Sequence, residues 1–224
     1  MQLSQPAIRV LGALMEKAKT TPEVYPLTLN SLVHACNQKT SRDPVSDYDD
    51  DEVMAALDEL RDKHLAMRVD VAGSRTAKFR ENATQEWELS PEEYAVLTVL
   101  LLRGAQTPGQ IRQRSDRLFQ FAELPQVNDR LHKMENREDE PFCLTRSLGK
   151  EPGTKEVRWL HTVGEEVLPE EASQPDTGSL DSAEPVAPAP LDPRQPTMDE
   201  IVEKLDRMEK RLQELESLLN ELTP

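Results

Sequence analysis

The stretch that decides the fold is residues 49–80, DDDEVMAALDELRDKHLAMRVDVAGSRTAKFR. Its first half carries Val53, Met54, Leu57 and Leu60 at three- and four-residue steps, the apolar stripe of a helix. The period then falls to two. Met67, Val69 and Val71 alternate with Arg68 and Asp70, Gly73-Ser74 makes a turn, and Ala77 and Phe79 alternate with Lys78 and Arg80. A helix running into a β-hairpin with a basic outer face is the second half of a winged helix-turn-helix unit, which requires two helices upstream.

Working outward, both are present. Residues 5–19 place Ile8, Leu11, Leu14 and Met15 on one face, with Ser4 positioned as the cap. Pro22 and Pro26 hold a short extended link, and Thr28 caps a second helix carrying Leu29, Leu32 and Val33. The polar run Asn37 to Val45 follows, and its Asp43-Pro44 step cannot continue a helix.

Downstream the pattern repeats. Val10, Leu11 and Leu14 match Val96, Leu97 and Leu100; Thr28 and Leu32 match Thr107 and Ile111; Val53, Leu57 and Leu60 match Val127, Leu131 and Met134. Ser90-Pro91-Glu92-Glu93 and Thr107-Pro108-Gly109-Gln110 are capping boxes with proline at the first helical position. A second hairpin spans Phe142–Arg146 and Lys155–Leu160, joined by a loop through Gly149 and Gly153. The expected fold class is mainly α with small β-hairpins: a winged helix over 1–86, another over 87–163, a linker over 164–197 and a coiled-coil helix over 198–224.

The chain has 224 residues and a net charge of −15. Residues 164–224 hold 5 basic and 16 acidic side chains, so the preceding 163 residues carry only −4. Seven of the 17 prolines fall in 164–197, the composition of a disordered linker with a reach of roughly 30 Å. In the last segment Met198, Leu205, Leu212 and Leu219 share one heptad position, and Ile201, Met208, Leu215 and Leu222 the other. Lys204 and Arg211 at g face Glu209 and Glu216 at e only if two copies run parallel, so a homodimer through this helix is expected. Cys36 and Cys143 have neither metal-ligand nor disulfide-framework spacing, and no stretch reads as a membrane span or signal peptide. The expected compartment is the cytoplasm, with no membrane association.

The run Ala35-Cys36-Asn37-Gln38-Lys39-Thr40-Ser41-Arg42-Asp43-Pro44-Val45, with an acidic-started helix after it, resembles the bacterial YceH family. So does Leu97 to Arg114, with its core Leu101-Leu102-Arg103-Gly104-Ala105-Gln106-Thr107-Pro108-Gly109. The resemblance covers about residues 3–163. It implies a tandem winged-helix fold and supplies no catalytic residues.

A winged helix ordinarily reads DNA with its third helix in the major groove and its wing on the flanking backbone. In the first copy the third helix carries Asp49, Asp50, Asp51, Glu52, Asp58, Glu59 and Asp62 against Arg61 and Lys63, a charge that phosphates repel. The second copy is permissive. Arg112, Arg114 and Arg117 lie on and after its second helix, and Gln126, Asn128, Arg130, Lys133 and Arg137 on its third. The wings add Arg68, Arg75, Lys78 and Arg80, then Arg146, Lys150, Lys155 and Arg158, and the Lys39–Arg42 loop could touch phosphate. Asn37, Ser41 and Asp43 hold that loop's turn. His34, His64, His132 and His161 are scattered, and no phosphate loop, metal pair or nucleophile elbow appears. The expectation is a non-enzymatic DNA-associated regulator without a cofactor, binding double-stranded DNA. The alternative is an adaptor whose acidic third helix docks a basic protein.

Overall fold

A computed structural model describes residues 2–70, 76–138, 143–150 and 157–164, without the Lys150 side chain. The chain divides into units 1–172 and 173–224, and the second lies outside the described residues. So do the expected linker and the expected coiled-coil positions Met198 to Leu222.

The described residues are mainly helical, with two small antiparallel sheets. Helix α1 (Gln5–Thr20) starts at Ser4, whose hydroxyl accepts from the Ala7 amide. A single 3-10 turn over Pro22–Val24 and a two-residue strand β1 (Leu27–Thr28) replace the extended link expected there. Proline fixes φ near the helical value, so Pro22 opens a turn as readily as it holds an extended chain. Thr28 caps α2 (Leu29–Cys36). Asp49 and Glu52 form a reciprocal capping box on α3 (Asp50–Asp62), which leads into β2 (Ala66–Val69) and β3 (Lys78–Glu81). The strand order is β1-β3-β2, with Leu27 opposite Phe79.

A short helix α4 (Ala83–Glu86) connects to α5 (Pro91–Arg103), α6 (Pro108–Arg114) and α7 (Leu124–Glu135). Ser90 and Thr107 make the two capping boxes read from the sequence. The second hairpin pairs β4 (Thr145–Lys150) with β5 (Val157–His161). Gly149, expected in the connecting loop, lies inside β4 at φ 78°, where the register shifts between Ser147 and Lys150. A bulge absorbs the extra residue, and a glycine without a Cβ adopts that dihedral at little cost. The second half also repeats β1 in miniature. Gln106, just before the Thr107 cap, exchanges two backbone hydrogen bonds with Trp159 (2.9 and 2.8 Å), as Leu27 precedes Thr28 and pairs with β3.

The two halves share one core. Every residue of α1 from Ala7 to Met15 is buried, and every residue of α5 from Glu93 to Leu102. Helices buried all round occupy the middle of a structure rather than its skin. α1 packs on α2, α3 and β3 with one side and on α5 with the other; α5 packs on α6, α7 and β5. The close approach depends on Gly12: a Cβ there would lie 2.9 Å from Leu102 Cδ2 and 3.1 Å from Leu101 Cβ. The Tyr94 hydroxyl donates to the Met15 carbonyl across the same seam, and this burial raises its pKa. Two further ties cross between the halves: Leu3 N–H to the Val163 carbonyl (2.7 Å) and Asp43 N–H to the Leu102 carbonyl (2.9 Å).

Candidate functional site

The residues that could meet a partner cluster on three surfaces of this unit. The first is the outer face of α3. Asp50, Asp51, Asp58 and Asp62 are exposed there, and among the described residues only Asp58 of these has a basic partner, Arg61 at 2.8 Å. Glu59 is turned to internal use, accepting from the Ser4 amide (3.1 Å) and the Ser4 hydroxyl (2.5 Å) at the start of α1. The carboxylates at the leading end suit the helix dipole, but they also leave this face strongly anionic.

The second surface is α7 with its neighbouring hairpin. A groove of about 430 Å³ runs between Leu124, Asn128 and His132 on α7, Pro108 and Gly109 at the start of α6, and Ser147, Val157 and Trp159 on the hairpin. Leu124 stands 38% exposed at the first helical position, so the leading end of α7 is apolar. His132 packs edge-on against Trp159 at a centroid distance of 4.8 Å. Most polar residues expected here to contact DNA are spent on the fold. Gln126 accepts from the Ala122 and Glu123 amides as the cap of α7 (3.0 and 3.3 Å). Lys133 pairs with the buried Glu93 at 2.9 Å; burial would raise that carboxyl's pKa, but the Ser90 amide and Lys133 together hold it below the ordinary value. Arg137 donates to the Trp87 carbonyl, and its Nε is buried without an acceptor. Arg112 donates to the Phe121 and Ala122 carbonyls (3.2 and 2.7 Å), and Arg158 to the Ala105 carbonyl (2.8 Å). Half-buried Arg130 makes no hydrogen bond or ion pair with the described residues, and Asn128 only lines the groove.

The third surface is a cleft of about 60 Å³ between α1, α5 and α6, lined by Arg103, Arg114 and Arg117 with Glu16 and Ser41. Arg114 is hydrogen-bonded to the Gln106 side chain. Burial first, and then the like charge of Arg114, lower the pKa of Arg103. The three guanidiniums crowd together with one carboxylate, Glu16, that Arg42 already holds. Arg103 was not singled out by sequence reasoning; its place four residues before the Thr107 cap is the signal that bore on it.

The first wing is less basic than its sequence reads. Arg68 pairs with Asp70 at 3.3 Å, and Arg80 donates to Met67 Sδ at 3.2 Å. Lys78 is half-buried, Arg146 lines a separate cavity, and Arg75, Lys155 and the Lys150 side chain lie outside the described residues. In the Lys39–Arg42 loop Lys39 is exposed, but Arg42 is corrected. The Arg42 side chain is fully buried, donating to both Glu16 carboxylate oxygens (3.1 and 2.7 Å) and twice to the Ala35 carbonyl (3.0 and 2.8 Å). It is unreachable by phosphate. Of the three side chains expected to hold the turn, Asn37 clasps Tyr48 N–H and C=O (2.9 and 2.7 Å), while those of Ser41 and Asp43 make no hydrogen bond with the described residues. Among the described residues no group of three or more His, Cys, Asp or Glu side chains could hold a metal, and no helix is long and apolar enough to cross a membrane.

Residues 3–154 match the family described as "Protein of unknown function, DUF480". Among curated relatives, the chain is 39% identical to the "UPF0502 protein YceH" of Escherichia fergusonii over 225 residues, covering 99% of this chain and 96% of that protein. It is 46% identical to a "UPF0502 protein" of Opitutus terrae over 191 residues, 85% of this chain and 77% of the other. Identity at this level over nearly the whole chain, together with the family match to the folded unit, makes the chain a member of the DUF480/UPF0502 family, to which YceH belongs.

Proposed function

We propose that residues 1–164 are two winged helices fused through α1 and α5, and that the pair acts as a non-enzymatic docking module for a basic protein. The helix order, the strand order β1-β3-β2 and the Gln106–Trp159 bridge that repeats β1 all support the tandem reading. One observation carries the docking reading. The leading ends of both third helices offer nothing that attracts a phosphate: α3 presents Asp50 and Asp51, and α7 presents Leu124 and Pro125. DNA-binding affinity rests on neutralising phosphates. On α6, on α7 and just after it, Arg112, Gln126, Lys133 and Arg137 already bond within the protein and would have to break those bonds to reach a duplex. A carboxylate-rich helix face beside a neutral surface instead fits a lysine- or arginine-bearing protein.

The arginine cleft favours a second reading, in which Arg103, Arg114 and Arg117 grip a phosphate of double-stranded DNA. Two measurements separate the readings. A photo-crosslinking residue at Ala55, exposed on α3, should trap one discrete protein in cells, and Asp51→Lys with Asp58→Lys should abolish the adduct. Fluorescence anisotropy with a random duplex at low salt should show no binding. A duplex affinity that falls steeply with salt, and vanishes in Arg117→Glu/Arg130→Glu, would replace the docking reading with the DNA one.

A further inference from the structure

We propose that the cavity between the start of α1, the 43–48 loop, the end of α5 and β5 binds a small organic anion, a carboxylate or phosphate monoester carrying an apolar body. The cavity measures about 740 Å³, within the range of small-molecule sites. Ile8, Leu101 and Leu160 line it with apolar surface, and Gln5, Arg9 and His161 with polar groups.

Arg9 is the reason for an anion. It is 6% exposed, and its guanidinium donates to the Pro44 carbonyl (2.6 Å) and the Cys36 carbonyl (3.5 Å). No carboxylate of the described residues lies within 4.0 Å of it. A buried guanidinium ordinarily has an acidic partner. Its neighbour Arg42 has one, Glu16 at 2.7 Å. Two carbonyls leave several of the five N–H donors of Arg9 uncommitted.

The other titratable groups on the cavity are Arg146, His161, Asp43 and Tyr48. His161 lines the wall while its Nδ1 is buried without a hydrogen-bond partner among the described residues. Burial keeps the ring neutral, with a pKa of about 4, so it adds no charge to the wall. Both halves supply walls, so an occupant would brace α1 against β5. This inference is independent of which partner the acidic α3 face meets.

The test uses the full chain with sodium hexanoate, hexyl phosphate and hexanamide as probes, followed by NMR of the His161 ring and the Arg9 side chain. Saturable shifts with hexanoate, hexyl phosphate or both, and none with hexanamide, are expected; whichever anion saturates identifies the head group. Arg9→Gln should weaken binding roughly tenfold or more, the scale of one lost charge-assisted hydrogen bond. Because Arg9→Gln also removes two internal bonds, Leu160→Trp provides a second variant that fills the apolar end and should abolish binding in a folded protein. The proposal is overturned if neither anion saturates, if hexanamide binds equally well, or if folded Leu160→Trp binds like the wild type.

Discussion

Gly12→Val tests whether the two halves are one cooperative body. Gly12 lies mid-helix in α1, where its missing side chain lets α5 approach. A Cβ would sit 2.9 Å from Leu102 Cδ2, 3.0 Å from Leu102 Cγ and 3.1 Å from Leu101 Cβ. The Leu102 methyl can rotate aside; Leu101 Cβ is fixed to the α5 backbone, so the helices themselves must separate. Valine adds two methyls beyond that Cβ. Intrinsic helix propensity favours valine over glycine by only a few tenths of a kcal/mol. Overpacking of a filled core costs about 1–3 kcal/mol and decides the sign. In a chain of this size each kcal/mol moves the midpoint by about 2–4 °C, so Tm should fall by roughly 2–10 °C. Calorimetry and urea unfolding followed by circular dichroism should give one transition for the described unit, shifted down with its m value unchanged. An unchanged or raised midpoint would refute the close-packed seam. Two transitions, only one of which moves, would refute the shared core.

Three further outcomes are expected. Arg42→Met should cost about 3 kcal/mol in urea unfolding, because it leaves the largely buried Glu16 carboxylate only Lys17 at 3.5 Å and the Ala35 carbonyl without its donor. His161 has a folded pKa of about 4 against an ordinary 6.5, so it is neutral in the fold while the unfolded chain takes up a proton; stability should be fully present above pH 6.5 and fall as pH drops toward 4, and His161→Phe should flatten that limb of a stability-versus-pH curve. Glu16 and Glu93 have folded pKa values held below 4.5, by Arg42 and by the Ser90 amide with Lys133 respectively, against the opposing pull of burial; their stabilisation should be present above pH 4.5 and be lost as pH falls through those lowered values, a limb that Glu93→Gln should reduce in acid unfolding.

What could be read from the sequence was what local chemistry controls. Ser4, Thr28, Ser90 and Thr107 each cap the helix expected of them, because a cap needs only residues three or four apart. The period-two stretch before Gly73 and the one after it became β2 and β3, within a residue or two. The strand β1 escaped notice, since two residues carry no periodicity; its only trace was the repeated placement of one residue before a threonine cap. The seam between α1 and α5 escaped for another reason. Periodicity reports the broadest apolar stripe, and the second buried face of α1 is made of Arg9, Gly12 and Ala13, which look like a solvent face. The signal was in α5, where Tyr94 to Leu102 is apolar nearly all round and has no side left for water.

Basic residues that read as a nucleic-acid surface bond to loop carbonyls of their own half, which must find donors. Arg9 serves Cys36 and Pro44, Arg42 serves Ala35 and Ser41, Arg112 serves Phe121 and Ala122, Arg137 serves Trp87, and Arg158 serves Ala105. Arginine suits this task because its planar fork reaches two acceptors at once and stays charged when desolvated. Which arginines are consumed depends on how the loops fold back within each half, and a count of basic residues does not contain that fact. The acids of α3 have no such internal demand beyond the Asp49–Glu52 cap, the Glu59 bonds to Ser4 and the Asp58–Arg61 pair, so Asp50, Asp51 and Asp62 remain as exposed charge on the surface.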